Sequence, residues 1–181
     1  MKKLLTLGTL LSMAFMVQGG GVTWSTTANS VQGATATGTF DGTNKTGYIA
    51  FLFDANTTDI ADVIAAIESK TFANVQSQAL GSKGTVAGAV SSHTVSGVTY
   101  TNGSYQDFFM VVFNVTTTAA VPTATWFMTA TQNNQLMPGS GNNLALTFNN
   151  LPGVWTSVPE PATLALLGIG VVAVGLRRRR K

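Results

Sequence analysis

The chain has 181 residues and no cysteine, which excludes a disulfide framework, a thiol nucleophile and a thiolate metal site. Its pI of about 9.5 points towards nucleic acid, yet seven of the ten basic residues (Lys2, Lys3, Arg177, Arg178, Arg179, Arg180 and Lys181) lie at the two ends. Between the ends, three cations (Lys45, Lys70, Lys83) stand against six acids (Asp41, Asp54, Asp59, Asp62, Glu68, Asp107), a net charge near minus three, without the clustered lysines and arginines that phosphate neutralisation requires.

Met1-Lys2-Lys3 is a short positive segment, and an apolar run from Leu4 to Val17 follows it. This is the length and charge pattern of a secretory signal peptide, too short for a comfortable membrane span. Gly19, Gly20 and Gly21 supply the small side chains a peptidase needs, so residues 1–19 are expected to be removed by cleavage after Gly19. The general secretion machinery is the partner this implies. Residues 20–157 then remain as one exported domain, a size that supports a single core without staples.

Runs of β-branched and aromatic residues separated by Gly, Asn, Ser and Thr predict strands over most of that domain. The first three are Val22 to Thr27, Ala34 to Phe40 and Gly47 to Phe53. A helix is predicted from about Asp59 to Lys70, where Ile60, Val63, Ile64 and Ile67 recur at helical spacing. Thr58 or Asp59 can cap it, Asp62 suits the positive end of its dipole, and Lys70 the negative end. Five further strands follow at Thr85 to Ala89, His93 to Thr101, Asp107 to Val115, Thr123 to Thr131 and Leu144 to Phe148. Tyr48 to Phe53 and Phe108 to Phe113 are apolar without alternation, which marks central strands buried on both faces. The expected fold is mainly β: a single β-sandwich or jelly-roll-like domain with one embedded amphipathic helix.

Catalytic chemistry finds little to work with. His93 is the only histidine, and no G-x-S-x-G elbow surrounds any serine, so a plain surface histidine is expected. Asp54 to Asp62 places oxygens like those of a calcium loop, but Asp59 stands where the turn glycine belongs and Ala65 where the bidentate acid belongs. A strand-to-helix turn explains the same residues. Asn44, Asn56, Asn102 and Asn114 begin glycosylation sequons that a Thr-rich chain produces by chance. Trp24, Trp126, Trp155, Tyr48, Tyr100 and Tyr105 are scattered, and packing is the expected role of each. No catalytic residue, metal or cofactor is expected. The alternative is an extracellular carbohydrate-binding or weakly hydrolytic module, which would need clustered aromatics, or two of Asp41, Asp54 and Asp107 facing each other across a groove within about 10 Å.

The chain ends in three ordered features. Val158-Pro159-Glu160-Pro161 is held extended by its prolines. Ala162 to Leu176 then carries no charge; as a helix it would span about 22 Å, marginal against a hydrocarbon core of about 30 Å. Arg177 to Arg180 and Lys181 close the chain, and the positive-inside bias puts them in the cytoplasm as a membrane stop, with Pro159 outside. A sortase signal is disfavoured because Leu151-Pro152-Gly153 lacks the required threonine and glycine, and a lipid-anchor signal would not end in a basic block.

Residues 158–181 resemble the PEP-CTERM sorting domain, with its V-P-E-P, apolar helix and arginine-rich end. The resemblance implies recognition by exosortase, a multipass membrane enzyme, with processing near Pro159, Glu160 and Pro161. It also implies delivery to the outer surface or matrix of a bacterium and an association with exopolysaccharide. Together with the lack of catalytic constellations, it gives the expected function: a noncatalytic exported surface or extracellular-matrix protein linked to exopolysaccharide or biofilm. Such a protein would be anchored transiently in the inner membrane with its C-terminus cytoplasmic.

Overall fold

A computed structural model describes residues 17–139 and 142–159. Most of the expected signal peptide, the apolar run Ala162 to Leu176, and Glu160, Pro161 and Arg177 to Arg180 lie outside the described residues.

The chain forms strands β1 (Val17–Thr26), β2 (Gln32–Ala34), β3 (Phe40–Asn44) and β4 (Ile49–Asp54), then helices α1 (Ile60–Glu68) and α2 (Ala73–Gln76). Strands β5 (Gly81–Val86), β6 (Ala89–Val90), β7 (His93–Thr101) and β8 (Tyr105–Phe113) follow. A 3₁₀ turn, Thr118–Thr123, leads into β9 (Trp126–Leu136), β10 (Asn143–Phe148) and β11 (Thr156–Ser157). They assemble into a three-stranded sheet ordered β10-β1-β7, a six-stranded sheet ordered β11-β9-β8-β4-β5-β6, and the β2-β3 hairpin. The protein is mainly β and sandwich-like.

The two continuous apolar runs explain the layering. Ala50 and Leu52 of β4 and Phe108, Met110 and Val112 of β8 point to the small sheet, where they meet Val22, Trp24, Leu146 and Phe148. The alternate residues Ile49, Phe51, Phe53, Phe109, Val111 and Phe113 point the other way, onto Val63 and Ile67 of α1 and onto Phe72. Strand alternation forces this division, and only a strand covered on both faces tolerates an unbroken apolar run. On the helical side Phe53 stacks on Phe109 with centroids 5.0 Å apart, and Phe72 meets Phe113 edge-on at 4.9 Å. Such pairs add about 0.5–1.5 kcal/mol each beyond the area they bury.

The sandwich is tied along both sides. On one side Val90 N–H donates to Thr26 Oγ1 at 2.9 Å and Val31 N–H to the Gly88 carbonyl at 2.8 Å. On the other, Gln132 Nε2 donates to the Thr147 carbonyl at 2.8 Å. These bonds occupy groups at the sheet margins that could otherwise pair with another chain.

One predicted strand is a turn over most of its length, and another is a hairpin: Thr85 and Val86 end β5 and Ala89 begins β6. Ala34 to Phe40 folds back on itself: Thr35 N–H donates to the Thr39 carbonyl, Gly38 N–H donates to the Thr35 carbonyl, and Gly38 takes a φ of 84°. Thr85 to Ala89 is broken by a tight turn with Ala87 at φ 48° and Gly88 at φ 77°. The turn is fixed from outside, because Thr46 Oγ1 accepts from Ala87 N–H and the Lys45 carbonyl from Gly88 N–H. The strand predicted from Thr123 starts only at Trp126, since Pro122 sits in the preceding 3₁₀ turn. At α1 the cap is Asp59, whose Oδ1 accepts from Ala61 N–H at 2.8 Å. Lys70 departs from its expected place at the helix dipole: it lies past the helix end at φ 61°, and its Nζ donates to the Ala124 carbonyl at 3.0 Å.

Candidate functional site

The chain leaves the domain through one clamped tryptophan and one short strand. Trp155 is buried; its N–H donates to the Gly38 carbonyl and its indole Nε1 to the Gln32 carbonyl at 3.0 Å. Phe40 and Tyr48 pack against its ring, Tyr48 edge-on at 5.7 Å. Glycine is required at 38, because a Cβ there would meet the Trp155 carbonyl at 2.7 Å and the Trp126 ring at 2.8 Å. Thr156 and Ser157 then pair with Phe127 and Trp126 on the edge of the six-stranded sheet.

Val158 follows, only 5% exposed, with its N–H donating to the Thr125 carbonyl at 2.8 Å. Its side chain joins Val121, Ala124 and Phe127 in the helix-side core. The receiving loop is itself secured: Asn114 Oδ1 accepts from Thr125 N–H at 3.1 Å and from Trp126 N–H at 3.0 Å, and Lys70 holds the Ala124 carbonyl. Pro159 is exposed. It has no N–H to donate, so the ladder stops at Val158.

A family model described as the PEP-CTERM protein-sorting motif matches residues 157–180. The chain ends in a PEP-CTERM sorting motif. No curated protein and no solved structure matches the chain. The motif implies an exported protein sorted to the cell surface, with exosortase as the processing partner.

The PEP-CTERM motif therefore begins inside the fold. Ser157 is a sheet residue and Val158 a core residue, although the sequence assigns Val158 to a tail separate from the domain. Of the V-P-E-P element, the structure thus places Val158 in the core and Pro159 at the surface. Sequence reasoning also missed Asn114 and the Trp155 clamp. The signal available was local: Trp155, Thr156, Ser157 and Val158 place two large apolar residues around two hydroxyl residues directly before a proline.

The remaining candidates are placed as follows. His93 is half-buried at the start of β7 and meets Trp24 edge-on at 6.1 Å. Asp54 and Asp107 are brought onto neighbouring strands, Asp54 opposite Phe108, but strand alternation sends their side chains to opposite faces of the sheet. Each carboxylate is engaged by backbone: Asp54 Oδ1 accepts from Asn56 N–H at 2.9 Å, Asp107 Oδ1 from Asn134 N–H at 2.6 Å. Asp41 lies on the β3 hairpin beside Lys45, 3.4 Å away. The Thr43 N–H that its carboxylate accepts, and then Lys45, hold its carboxyl below the usual range.

Asp54 to Asp62 forms the strand-to-helix turn, with Asp54 and Asp59 both accepting backbone N–H groups. Among the described residues no group of three or more His, Asp or Glu side chains is arranged to hold a metal ion. Trp24, Trp155 and Tyr100 are buried, Tyr48 and Trp126 half-buried, and Tyr105 stands exposed. Among the described residues no helix is long and apolar enough to cross a membrane.

Proposed function

We propose that this chain is the precursor of a noncatalytic surface or extracellular-matrix protein, linked to exopolysaccharide or biofilm. Residues 1–19 direct export. Ala162 to Leu176 holds the precursor in the inner membrane with Arg177 to Arg180 on the cytoplasmic side, and exosortase then processes it near Pro159, Glu160 and Pro161. The observation that carries this reading is the sorting motif at residues 157–180, which begins where the last strand ends. The noncatalytic assignment is supported by the engagement of Asp54 and Asp107 with backbone N–H groups on opposite sheet faces. Further support comes from the packing of His93 against Trp24.

Replacing Pro159, Glu160 and Pro161 together by alanine tests the reading in a strain carrying the matching exosortase. Export continues, because residues 1–19 are untouched, and unprocessed protein accumulates in the membrane fraction. Mass analysis of the released wild-type protein gives a species without Arg177 to Lys181. A released species that retains those residues makes the tail an ordinary anchor and overturns the proposal.

A further inference from the structure

The folded domain and the sorting motif share residues. The motif match starts at Ser157, which is paired with Trp126 in the sheet, and Val158 is a core side chain with its N–H bonded to Thr125. Only Pro159, Glu160 and Pro161 separate Val158 from the apolar run that starts at Ala162. Fully extended, the chain from Val158 to Ala162 reaches at most about 14 Å. A single helix with its side chains is already about 10–12 Å across. That span leaves little more than one helix width between the sheet and the membrane segment, too little for a cleft walled by more than one element to enclose the triplet while Val158 stays in the sheet.

We infer that β11 and Val158 form a detachable strap, and that exosortase reads the motif only after Thr156, Ser157 and Val158 peel from the sheet edge. This rests on the exosortase reading given above. The strap is suited to that use. It is two residues long, among the described residues it is bonded to β9 alone, and Pro159 prevents it from lengthening. The stop is equally defined, because Trp155 is held by Gly38, Gln32, Phe40 and Tyr48. Peeling thus lengthens the tether by three residues, about 10 Å, without opening the core between the sheets. Short edge segments of this kind open locally far more often than the whole domain unfolds.

Two variants of the full chain test the strap in cells that carry the matching exosortase, with processing followed by pulse-chase. In the first, eight Gly/Ser residues inserted between Trp155 and Thr156 leave residues 156–181 intact but uncouple the strap from the Trp155 clamp, so that its pairing with β9 must close a flexible loop and opens more often. Processing is expected to accelerate severalfold, because the strap spends more time open. In the second, Trp126→Cys with Ser157→Cys cross-links the paired positions, which the absence of other cysteines allows. The oxidised protein is expected to remain unprocessed and to regain processing on reduction, which separates locking from misfolding. Processing of the oxidised form at the rate of its reduced form overturns the strap, as does an insertion variant no faster than wild type. Wild-type protein that stays uncut in the same cells overturns the exosortase reading, and the strap with it.

Discussion

The first and last strands of this domain are held in opposite ways. β1 is the middle strand of its sheet, bonded to β7 on one side and to β10 on the other, and it contributes Val22 and Trp24 to the core. β11 is two residues at the edge of the larger sheet, bonded on one side only among the described residues, and Val158 beyond it adds one side chain. Both strands adjoin expected processing points. The expected cleavage after Gly19 would remove three residues that pair with Thr101, Tyr100 and Thr99, yet Val22 to Thr26 would keep β10, and Val22 to Trp24 would keep β7 as well. Gly20 is confined by packing as well as by any peptidase, because a Cβ there would fall on the Tyr100 ring. The difference teaches that a central first strand keeps partners on both sides when its start is shortened, whereas a two-residue last strand has few bonds to lose.

The largest effect is expected in β1. Trp24→Ala leaves a cavity between the sheets at a site with no solvent exposure, and large-to-small core changes of this kind cost about 3–5 kcal/mol. Denaturant unfolding of the exported domain should be cooperative and should show that loss; a loss below about 1 kcal/mol would mean that β1 is not the centre of the core. A smaller effect is expected at the other end. Val158→Ala should cost about 1–2 kcal/mol, as the removal of two methyl groups at an edge implies. In the native protein the Val158 amide should exchange with solvent much faster than those of β1. A loss as large as that of Trp24→Ala, or equal protection at the two ends, would erase the contrast between the strands.

The smallest effect lies at neither strand but on the exposed β3 hairpin, and it serves as a baseline. Asp41 has a carboxyl pKa lowered by the Thr43 N–H and by Lys45. A carboxylate whose pKa is depressed on folding stabilises above its unfolded pKa of about 3.9 and loses that contribution as pH falls through the folded value. Asp41→Asn should therefore lower the midpoint slightly at pH 7, and the two proteins should converge once the pH has fallen through the lowered folded-state pKa. A difference that persists there would assign the effect to the turn geometry and not to charge.

Some of this structure is legible in the chain alone. β7 coincides with its predicted limits, His93 to Thr101, and α1 lies within Asp59 to Lys70. Tyr48 to Phe53 and Phe108 to Phe113 announce strands buried twice over, because an unbroken apolar run has no face to offer water. The sorting motif is the most legible element of all. Its signals are local and covalent: prolines that enforce extension, an uncharged run, and terminal cations. Local signals misled at Ala34 to Phe40, where β-prone threonines sit in a turn, and at Thr85 to Ala89, where one expected strand is the end of β5, a turn at Ala87 and Gly88, and the start of β6. The turns are imposed from a distance, by Trp155 against Gly38 and by Thr46 on Ala87.

Residue chemistry by itself thus determined the mainly β class, the doubly covered central strands, the helix α1 and the tail's sorting address. Tertiary structure alone decided the parallel pairing of β1 with β10, whose strands are more than one hundred residues apart. It also decided the separation of Asp54 from Asp107 and the burial of Val158. The physical reason is common to all three. Propensity and periodicity act over one or two turns of chain, whereas strand partners, opposing sheet faces and the pocket beneath Val158 are assembled from segments far apart in sequence.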